Sequence, residues 1–420
     1  MRADWNARAR EDAHYYVAFG RRDQDDDEFF ATAADVIREL EGELKRFPAD
    51  VPTKQRRALE IGCGPGRLLR PMSRRFGEIY GIDVSDEMVA QARDKLRDIP
   101  WAHAHHASGS DLAQFPSDHF DFVYSYAVFQ HIPSADVVFS YLRETVRVLK
   151  PGGFARLQIN GLPKSAKAYT TWEGVRISAA EIHQFTREHN IRLLSLTGVE
   201  TQYMWCSWQK PPLVEAEQRG VTRIRHVVNA FSSEQAVPSN GRLACATLQV
   251  ENLPAACDLN SLEALIDGAC CTPCYVGPSV NGLSQLNVFL PESVRTGLVP
   301  VTVKWRSQQL CPEATIRVIP AGPSVPRLVA LSDGVNLLSP QRIESGTLKA
   351  TIEEVTSIDS FRATISGIPV CNVETFRTDP LCSRYEVNFE LPNGILPGGQ
   401  VLDIWLGTRL LTHIGIDIIK

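Results

Sequence analysis

A glycine-rich turn between residues 58 and 67 is the segment of the sequence best suited to chemistry. It reads ALEIGCGPGR, in which a short apolar stretch leads into Gly62, Gly64 and Gly66. Glycine at these positions leaves the backbone bare, so a bulky ligand can lie directly against it. Downstream, a second apolar stretch ends at the acid Asp83. This order of elements predicts a nucleoside-binding βαβ unit: a strand, a glycine turn, a helix, and a second strand that ends in an acid.

The spacing of the glycines argues against a dinucleotide. The dinucleotide fingerprint requires G-x-G-x-x-G, but Arg67 stands at the last position and Gly66 comes one residue early. Glu60 precedes the turn, and an ionised carboxylate there would repel a pyrophosphate. The pattern therefore favours a cationic ligand without phosphates.

The segment from Glu60 to Gly66 resembles the first motif, E-x-G-x-G-x-G, of the class I S-adenosylmethionine-dependent methyltransferases. Further segments resemble later motifs of that family and follow in the same order: GIDVSDEM around Asp83, residues 107–112, residues 120–132, and LKPGG at residues 149–153. The resemblance covers roughly the first half of the chain. It implies a Rossmann-like, doubly wound α/β domain with a seven-stranded sheet and S-adenosylmethionine as the cofactor.

The resemblance also assigns roles around the cofactor. Asp83 would bind both ribose hydroxyls, Met88 would pack on the adenine, and the end of the fourth strand would line the methionine end. Either Ser108 or Asp111 would contact the adenine amino group. The residues that the resemblance places at the cofactor are Tyr16, Glu60, Gly62, Cys63, Gly64, Gly66, Arg67, Asp83, Val84, Met88, Ser108, Gly109, Ser110, Asp111, Ser125, Tyr126 and Gln130.

Two histidines are candidates for a general base, which would be needed if the methyl acceptor is a hydroxyl. His131 is the first and His14 the second, and packing with hydrogen bonding is the alternative role for His131. No metal site is predicted. His103, His105 and His106 fall on both faces of a predicted strand, and the cluster Cys270, Cys271 and Cys274 lacks a second ligand pair.

Composition limits the partners. The 420 residues include 44 basic and 49 acidic ones, for a net charge of −5, so no footprint for nucleic acid is expected. No apolar run is long enough to span a membrane, and no hydrophobic leader follows Met1. We therefore expect a soluble, cytoplasmic protein that does not engage a membrane. Most of the ten cysteines lie in the C-terminal half, and we expect them to remain reduced.

The chain is predicted to hold three domains. Residues 1–212 form the α/β domain, in which residues 1–50 are helices that cover the cofactor. Beyond residue 212, short β-rich segments repeat about every 100 residues, as in Leu290-Pro291 and Leu391-Pro392. Two β-sandwiches, at 213–322 and 323–420, are therefore expected, and their pattern resembles bacterial immunoglobulin-like modules of the IPT/TIG type.

The resulting hypothesis is a methyltransferase that moves the methyl group of S-adenosylmethionine to an oxygen or nitrogen of a small molecule or sugar. Trp172, Tyr203 and Trp205 could line the acceptor pocket, with core packing as the alternative for the last two, and Lys167 lies in the same predicted loop as Trp172. The alternative function is a non-catalytic cofactor-binding scaffold, or a protein that binds a glycan or protein partner through its β-sandwiches.

Overall fold

The computed structural model describes residues 1–18, 22–165, 168–217, 220–241, 243–379 and 382–419. Lys167 lies outside these residues. The chain divides into two compact units, of which unit 1 comprises residues 1–11 and 30–321 and unit 2 comprises residues 12–29 and 322–420. The expected boundary at residue 212 falls inside unit 1, and the three-domain division stays a prediction.

Three of the described helices, α5 (Asp86–Lys95), α6 (Ala135–Val148) and α7 (Ala179–Glu188), begin at a serine that caps them. The side chains of Ser85, Ser134 and Ser178 each accept a backbone N–H from the first turn that follows, and Glu181 completes a capping box with Ser178. The helices are α1 (Arg2–Ala18, interrupted by extended backbone at Asp12), α2 (Asp26–Ala31), α3 (Ala34–Glu43), α4 (Leu69–Met72), α5 (Asp86–Lys95), α6 (Ala135–Val148) and α7 (Ala179–Glu188).

The first sheet of unit 1 has the strand order β3-β2-β1-β4-β5-β7-β6. Its first five strands are parallel, and β7 runs antiparallel to both of its neighbours. The strands are β1 (Arg57–Ile61), β2 (Glu78–Asp83), β3 (Ala102–His106), β4 (Phe120–Ser125), β5 (Leu149–Ile159), β6 (Arg192–Thr197) and β7 (Met204–Gln209). The predicted Rossmann-like fold is confirmed.

Helices cover both faces of this sheet. Val138 and Leu142 of α6 pack with Leu59 and Val123, whereas Leu40 of α3 and Val89 of α5 pack in a second core on the other face. Strand order reverses between β1 and β4, and in doubly wound sheets the crevice beyond the carboxyl ends at that reversal is where ligands bind. The glycine turn follows β1 at this point.

The rest of unit 1 is a β structure that we call the first β module (residues 223–319). One layer is ordered β8-β10-β13-β12 and the other β11-β14-β16-β9, with β12 pairing in both. Tyr275 of β12 also pairs with Ser195 of β6, so the module continues the first sheet. The strands are β8 (Arg223–Asn229), β9 (Ala236–Pro238), β10 (Cys245–Glu251), β11 (Leu262–Ile266), β12 (Ala269–Val276), β13 (Leu283–Phe289), β14 (Gly297–Trp305), β15 (Gln308–Gln309) and β16 (Ala314–Ile319).

Unit 2 contains two sheets, ordered β17-β19-β23-β22 and β18-β25-β24-β20-β21. Ile352 and Phe389 of one sheet share a core with Ile404 and Ile418 of the other, which makes a β-sandwich. The strands are β17 (Arg327–Asp333), β18 (Arg342–Ile343), β19 (Thr347–Glu353), β20 (Phe361–Ile365), β21 (Ile368–Pro369), β22 (Cys371–Asp379), β23 (Arg384–Glu390), β24 (Gly398–Leu406) and β25 (Arg409–Ile418).

The internal repeat seen in the sequence extends to strand pairing. Ile266 of β11 pairs with Val301 of β14, and the corresponding Ile365 of β20 pairs with Leu402 of β24. Each copy also has a strand at its edge that pairs in parallel, β9 with β16 and β18 with β25. The two β regions thus share one topology, while their immunoglobulin-like identity stays a prediction.

Two global features complete the description. The ten cysteine side chains are free thiols. Within the described part of the chain, no helix combines the length and apolar character needed to cross a membrane.

Candidate functional site

The glycine turn is held against the neighbouring strand by its own amides. Gly62 and Cys63 both donate to the carbonyl of Ile82, at 2.8 and 2.9 Å. Gly62, Gly64 and Gly66 have φ values of +74°, +52° and +93°, a region that favours glycine. A Cβ at Gly62 would lie 2.2 Å from Cγ2 of Val128, so the turn also sits directly against the segment that follows β4.

Asp83 ends β2 beside this turn. Its Oδ2 accepts the amide of Gly64 at 2.9 Å, and its Oδ1 accepts the amide of Ser85 at 2.8 Å. Burial raises the pKa of Asp83, and the backbone amides oppose that shift. Each oxygen retains acceptor capacity, so the oriented carboxylate can accept hydrogen bonds from two adjacent hydroxyls.

Glu60 is buried in the sheet, where Tyr124 donates to its Oε2 at 3.0 Å. Burial raises the pKa of Glu60 to about 8, although the Tyr124 hydrogen bond and the charge of Arg67 act in the opposite direction. The carboxyl is thus mostly protonated at neutral pH. The expectation that an ionised Glu60 repels a pyrophosphate is not supported, and the glycine spacing alone carries the argument against a dinucleotide.

Arg67 is a buried cation at the end of the glycine turn, with 7% of its surface exposed. Its Nη1 is 3.4 Å from the hydroxyl of Thr32, and its guanidinium lies 5.3 Å from the ring centroid of Tyr126. Among the described residues, its Nε has no hydrogen-bond partner. Burial lowers the pKa of Arg67. The group is therefore available to bind an anion beside the turn.

Aromatic side chains surround Tyr126. Its ring stacks on Trp205 at 5.5 Å with an interplanar angle of 5°, and Tyr203 is 6.4 Å away. Trp172 lies elsewhere, with its ring 6.2 Å from His131. The structure thus joins two of the three predicted acceptor-pocket residues to a candidate cofactor residue and separates the third from them.

His131 is buried, and both ring nitrogens have neighbours. Nδ1 is 3.2 Å from the carbonyl of Thr171, and Nε2 is 3.3 Å from Nε2 of Gln130. Burial and the nearby charge of Arg8 lower the pKa of His131 to about 4. The carbonyl requires the proton on Nδ1, which leaves Nε2 to accept from Gln130. This arrangement favours the packing alternative over a general base.

Several remaining candidates have structural roles close to the turn. Ser125 donates its hydroxyl to the carbonyl of Ile61 at 2.8 Å, and Gln158 donates to Oε1 of Gln130 at 3.1 Å. The Cys63 thiol is buried, burial raises its pKa, and a Cβ at Gly81 would lie 2.9 Å from its sulfur. Cys63 therefore acts as a small packing residue rather than a reactive thiol.

The segment expected to contact adenine forms a compact loop. Ser108 Oγ accepts the amides of Ser110 and Asp111 at 3.2 and 3.3 Å. Gly109 has φ +86°, and a Cβ there would come within 2.9 Å of Val84. Asp83, Val84 and this loop are thus brought together. The choice between Ser108 and Asp111 for the adenine amino group stays open, because both side chains bond locally. Met88 is buried at the first turn of α5.

The first half of α1 crosses this region, and sequence reasoning missed its contacts. Ser85 donates to Oδ1 of Asn6 at 2.6 Å on one side. On the other, Thr171 donates to Asp4 at 2.9 Å, and the Trp5 ring meets His131 edge-on at 5.2 Å. The helix therefore spans from α5 to the residues near His131. No sequence motif marks these residues. Predicting the position of the helix would have required knowing which loops it packs on.

Two candidates belong to unit 2. His14 stacks on Phe29 with ring centroids 4.1 Å apart, and its Nδ1 is 2.8 Å from the carbonyl of Gln24. Tyr16 lies in edge-on contact with Tyr15, at 5.3 Å. Their assigned roles stay predictions. In the described ranges, no group of three or more His, Cys, Asp or Glu side chains could hold a metal ion.

Part of the chain is similar to known proteins. Residues 59–157 match the family model described as a methyltransferase domain. The similarity to a methyltransferase domain covers this segment of the chain. The matched range includes the glycine turn, Asp83, the 107–112 loop and β4. The match stops short of α7, β6 and β7, which complete the sheet around it.

Curated methyltransferases are similar to part of the chain. The chain is 31% identical over 160 residues to trans-aconitate 2-methyltransferase of Rhodopseudomonas palustris, covering 37% of this chain and 50% of the relative. It is 35% identical over 136 residues to a ubiquinone biosynthesis O-methyltransferase of Ruegeria pomeroyi, covering 31% and 52%. The chain spans about half the length of these two relatives.

Among solved structures, the chain is similar to the putative methyltransferase of Haloferax volcanii in complex with the Trm112 activator. It has 20% sequence identity and a TM-score of 0.38, over 51% of this chain and 99% of that one.

The residues around the glycine turn fit S-adenosylmethionine as a cofactor. Asp83 offers an oriented carboxylate for a ribose diol. The unpartnered Nε of Arg67, in the part of the chain that the structure describes, offers a buried donor for a carboxylate. The glycine turn between them presents bare backbone.

Proposed function

We propose that the chain transfers the methyl group of S-adenosylmethionine to an oxygen or nitrogen of a small-molecule acceptor. The carboxylate of Asp83 carries the proposal. It is oriented by two amides, beside a glycine turn, at the point where the strand order of the sheet reverses. The family match of residues 59–157 supports the same reaction.

The protein's own contribution to the reaction is binding and orientation. S-adenosylmethionine supplies a methyl group on a sulfonium, and the acceptor's lone pair forms the new bond to that carbon as the carbon–sulfur bond breaks. Asp83 would bind the ribose of the cofactor, and Arg67 would bind its carboxylate. The methyl group would then be held in a single orientation toward the acceptor. Orientation of this kind can supply about 7–11 kcal/mol of the barrier.

A hydroxyl acceptor must lose its proton to a general base, and the structure disfavours His131 as that base. An imidazole whose pKa is lowered to about 4 is a weak base, and Gln130 lies against its free lone pair. An acceptor that is already ionised, such as a carboxylate or an acidic phenol, avoids the requirement. The relatives are named for trans-aconitate and for ubiquinone biosynthesis, which agrees with a small organic acceptor. A sugar hydroxyl is the second acceptor class.

Binding is the first measurement. We expect the full chain to bind S-adenosylhomocysteine in calorimetry, and Asp83→Ala to lose this binding while Asp98→Ala keeps it. Asp98 is a suitable control because its carboxylate pairs with Arg70 on the exposed side. Binding by Asp83→Ala at wild-type strength would contradict the assignment of the site.

Turnover is the second measurement. Methyl transfer from labelled S-adenosylmethionine would be followed with panels of carboxylic acids, phenols, amines and sugars. Product with the wild type and none with Asp83→Ala would support the proposal. Cofactor binding without transfer to any panel would instead favour the non-catalytic scaffold.

A further inference from the structure

Arg46 joins α3 to the first β module. It lies just after α3, and its Nε is 2.5 Å from Oε2 of Glu43. Its Nη1 donates to the carbonyl of Val276 at 2.8 Å, and its guanidinium lies 5.5 Å from the ring centroid of Tyr275. Val276 and Tyr275 both belong to β12. One guanidinium therefore bridges α3 and the module.

Glu43 extends this contact into the sheet. Its Oε1 is 3.4 Å from Nη1 of Arg156, a β5 residue that also donates to Ser207 at 3.0 Å and to Glu39 at 3.3 Å. The side chains of Arg46, Glu43 and Arg156 are 4%, 8% and 10% exposed. Buried charges of this kind depend on one another, because removing one partner leaves the other uncompensated.

Arg156 leads on to the candidate cofactor site. Its guanidinium lies 4.6 Å from the ring of Trp205, which stacks on Tyr126. Tyr126 in turn lies under Arg67, at the end of the glycine turn. Each link is a direct contact within unit 1, so the series runs without a gap from β12 to the turn.

Strand register places the same connection in the sheet. Six residues on adjacent strands are successive pairing partners: Glu60, Tyr124, Arg156, Ser207, Ser195 and Tyr275. The first five of these side chains are buried. A row of polar side chains thus crosses the sheet from the glycine motif to the module, on the face that α3 covers.

We propose that Arg46 is a positioning residue through which the first β module holds α3, and with it Tyr126 and Arg67, in place for cofactor binding. The module then belongs to the support of the methyl-transfer site rather than being an appended binding domain. This inference rests on the proposed function for what the site binds. The series of contacts that it uses is independent of the acceptor.

The test compares Arg46→Met and Arg46→Lys with the wild type. The Met variant removes the charge and keeps the aliphatic bulk. The Lys variant keeps the charge but has one compact ammonium, which cannot hold Glu43 and the Val276 carbonyl in one rigid fork. Arg225→Met is the matched control, since Arg225 pairs with Glu251 at the surface of the same module.

Two readouts apply to the full chain. Hydrogen exchange should become faster in residues 34–46 and 124–128 of both Arg46 variants, and their affinity for S-adenosylhomocysteine should fall about tenfold. The control should change neither. Tyr275→Leu removes the ring that faces Arg46 and should act in the same direction, which keeps the test open if Arg46→Met fails to fold.

The outcomes separate the two proposals. Unchanged exchange in 34–46 and 124–128, or wild-type behaviour of Arg46→Lys in both readouts, would overturn the positioning role. Faster exchange in these segments together with weaker S-adenosylhomocysteine binding by a folded variant supports it, and faster exchange with unchanged affinity would overturn the link to cofactor binding. A wild type that binds no S-adenosylhomocysteine would contradict the proposed function, and the exchange readout would still decide whether Arg46 holds α3.

Discussion

Tyr124 on β4 donates its phenolic hydrogen to Oε2 of Glu60 on β1 across 3.0 Å, and both side chains are buried. The two residues are direct partners in neighbouring parallel strands. The acid that begins the glycine motif thus faces a helix-covered side of the sheet and bonds to a tyrosine. Burial on this side of the sheet raises the pKa of Glu60 to about 8, although the Tyr124 hydrogen bond acts in the opposite direction.

Glu60 should make the protein less stable as pH rises. The folded pKa is above the unfolded one, so the favourable contribution is complete below about pH 4.3 and is lost as pH rises through about 8. Over that window the free energy of unfolding should fall by about 1.4 kcal/mol per pH unit from this group. Glu60→Gln should flatten the dependence, as measured by urea unfolding from pH 5 to 8. Parallel curves for the wild type and the variant would contradict this.

Gly62→Ala should be strongly destabilising for two separable reasons. Alanine in the left-handed region costs about 1–2 kcal/mol, and a Cβ placed 2.2 Å from Val128 adds about 1–3 kcal/mol of overpacking. Gly268→Ala is the matched control. Gly268 has φ +75° but no heavy atom within 4 Å of the added Cβ, so this variant should show the backbone cost alone. Equal losses in urea unfolding would refute the close contact with Val128.

Arg67→Met should weaken cofactor binding without weakening the fold. The guanidinium is buried, its Nε is unpartnered among the residues described, and the neighbouring Glu60 is largely protonated. Replacing a poorly compensated buried charge by an apolar side chain is often neutral or stabilising. Losing a charge-assisted hydrogen bond should lower the affinity for S-adenosylhomocysteine by roughly tenfold or more. Calorimetry and urea unfolding test both parts, with the exposed Arg97→Met as control.

His131 should stay neutral throughout the physiological range. Its folded pKa of about 4 lies below the unfolded value of about 6.5, so its stabilising contribution is present above pH 6.5 and lost as pH falls toward 4. Nuclear magnetic resonance should show its ring titrating near pH 4 in the folded protein. His131→Gln should remove that signal and reduce the loss of stability between pH 6.5 and 5. A titration near pH 6.5 would restore it as a candidate base.

The local parts of the site could be predicted from the sequence. The positive φ values of Gly62, Gly64 and Gly66 and the acid at the end of β2 are local features. The helix starts at Ser134 and Ser178 are also local features, because a capping side chain bonds to a backbone amide only three residues further along. The family resemblance then supplied the strand order that periodicity alone leaves undetermined.

Contacts between distant segments could not be predicted. Trp172, Tyr203 and Trp205 were all candidates for the acceptor pocket, but the fold places Trp172 beside His131 and the other two beside Tyr126. Asn6 and Asp4 carried no motif, although they contact Ser85 and Thr171. Side-chain type does not encode which distant loop a residue will meet.

The sequence by itself determined the turn and the carboxylate, since these depend on residue types at short fixed spacings, and the family resemblance of its motifs implied the cofactor. Tertiary structure decided the state of Glu60 and the place of the first β module. Both follow from strand register, which aligns Glu60, Tyr124, Arg156 and, through β7 and β6, Tyr275 across the sheet. Register is set by how whole strands bury their apolar faces, so these partnerships exist only once the sheet has formed.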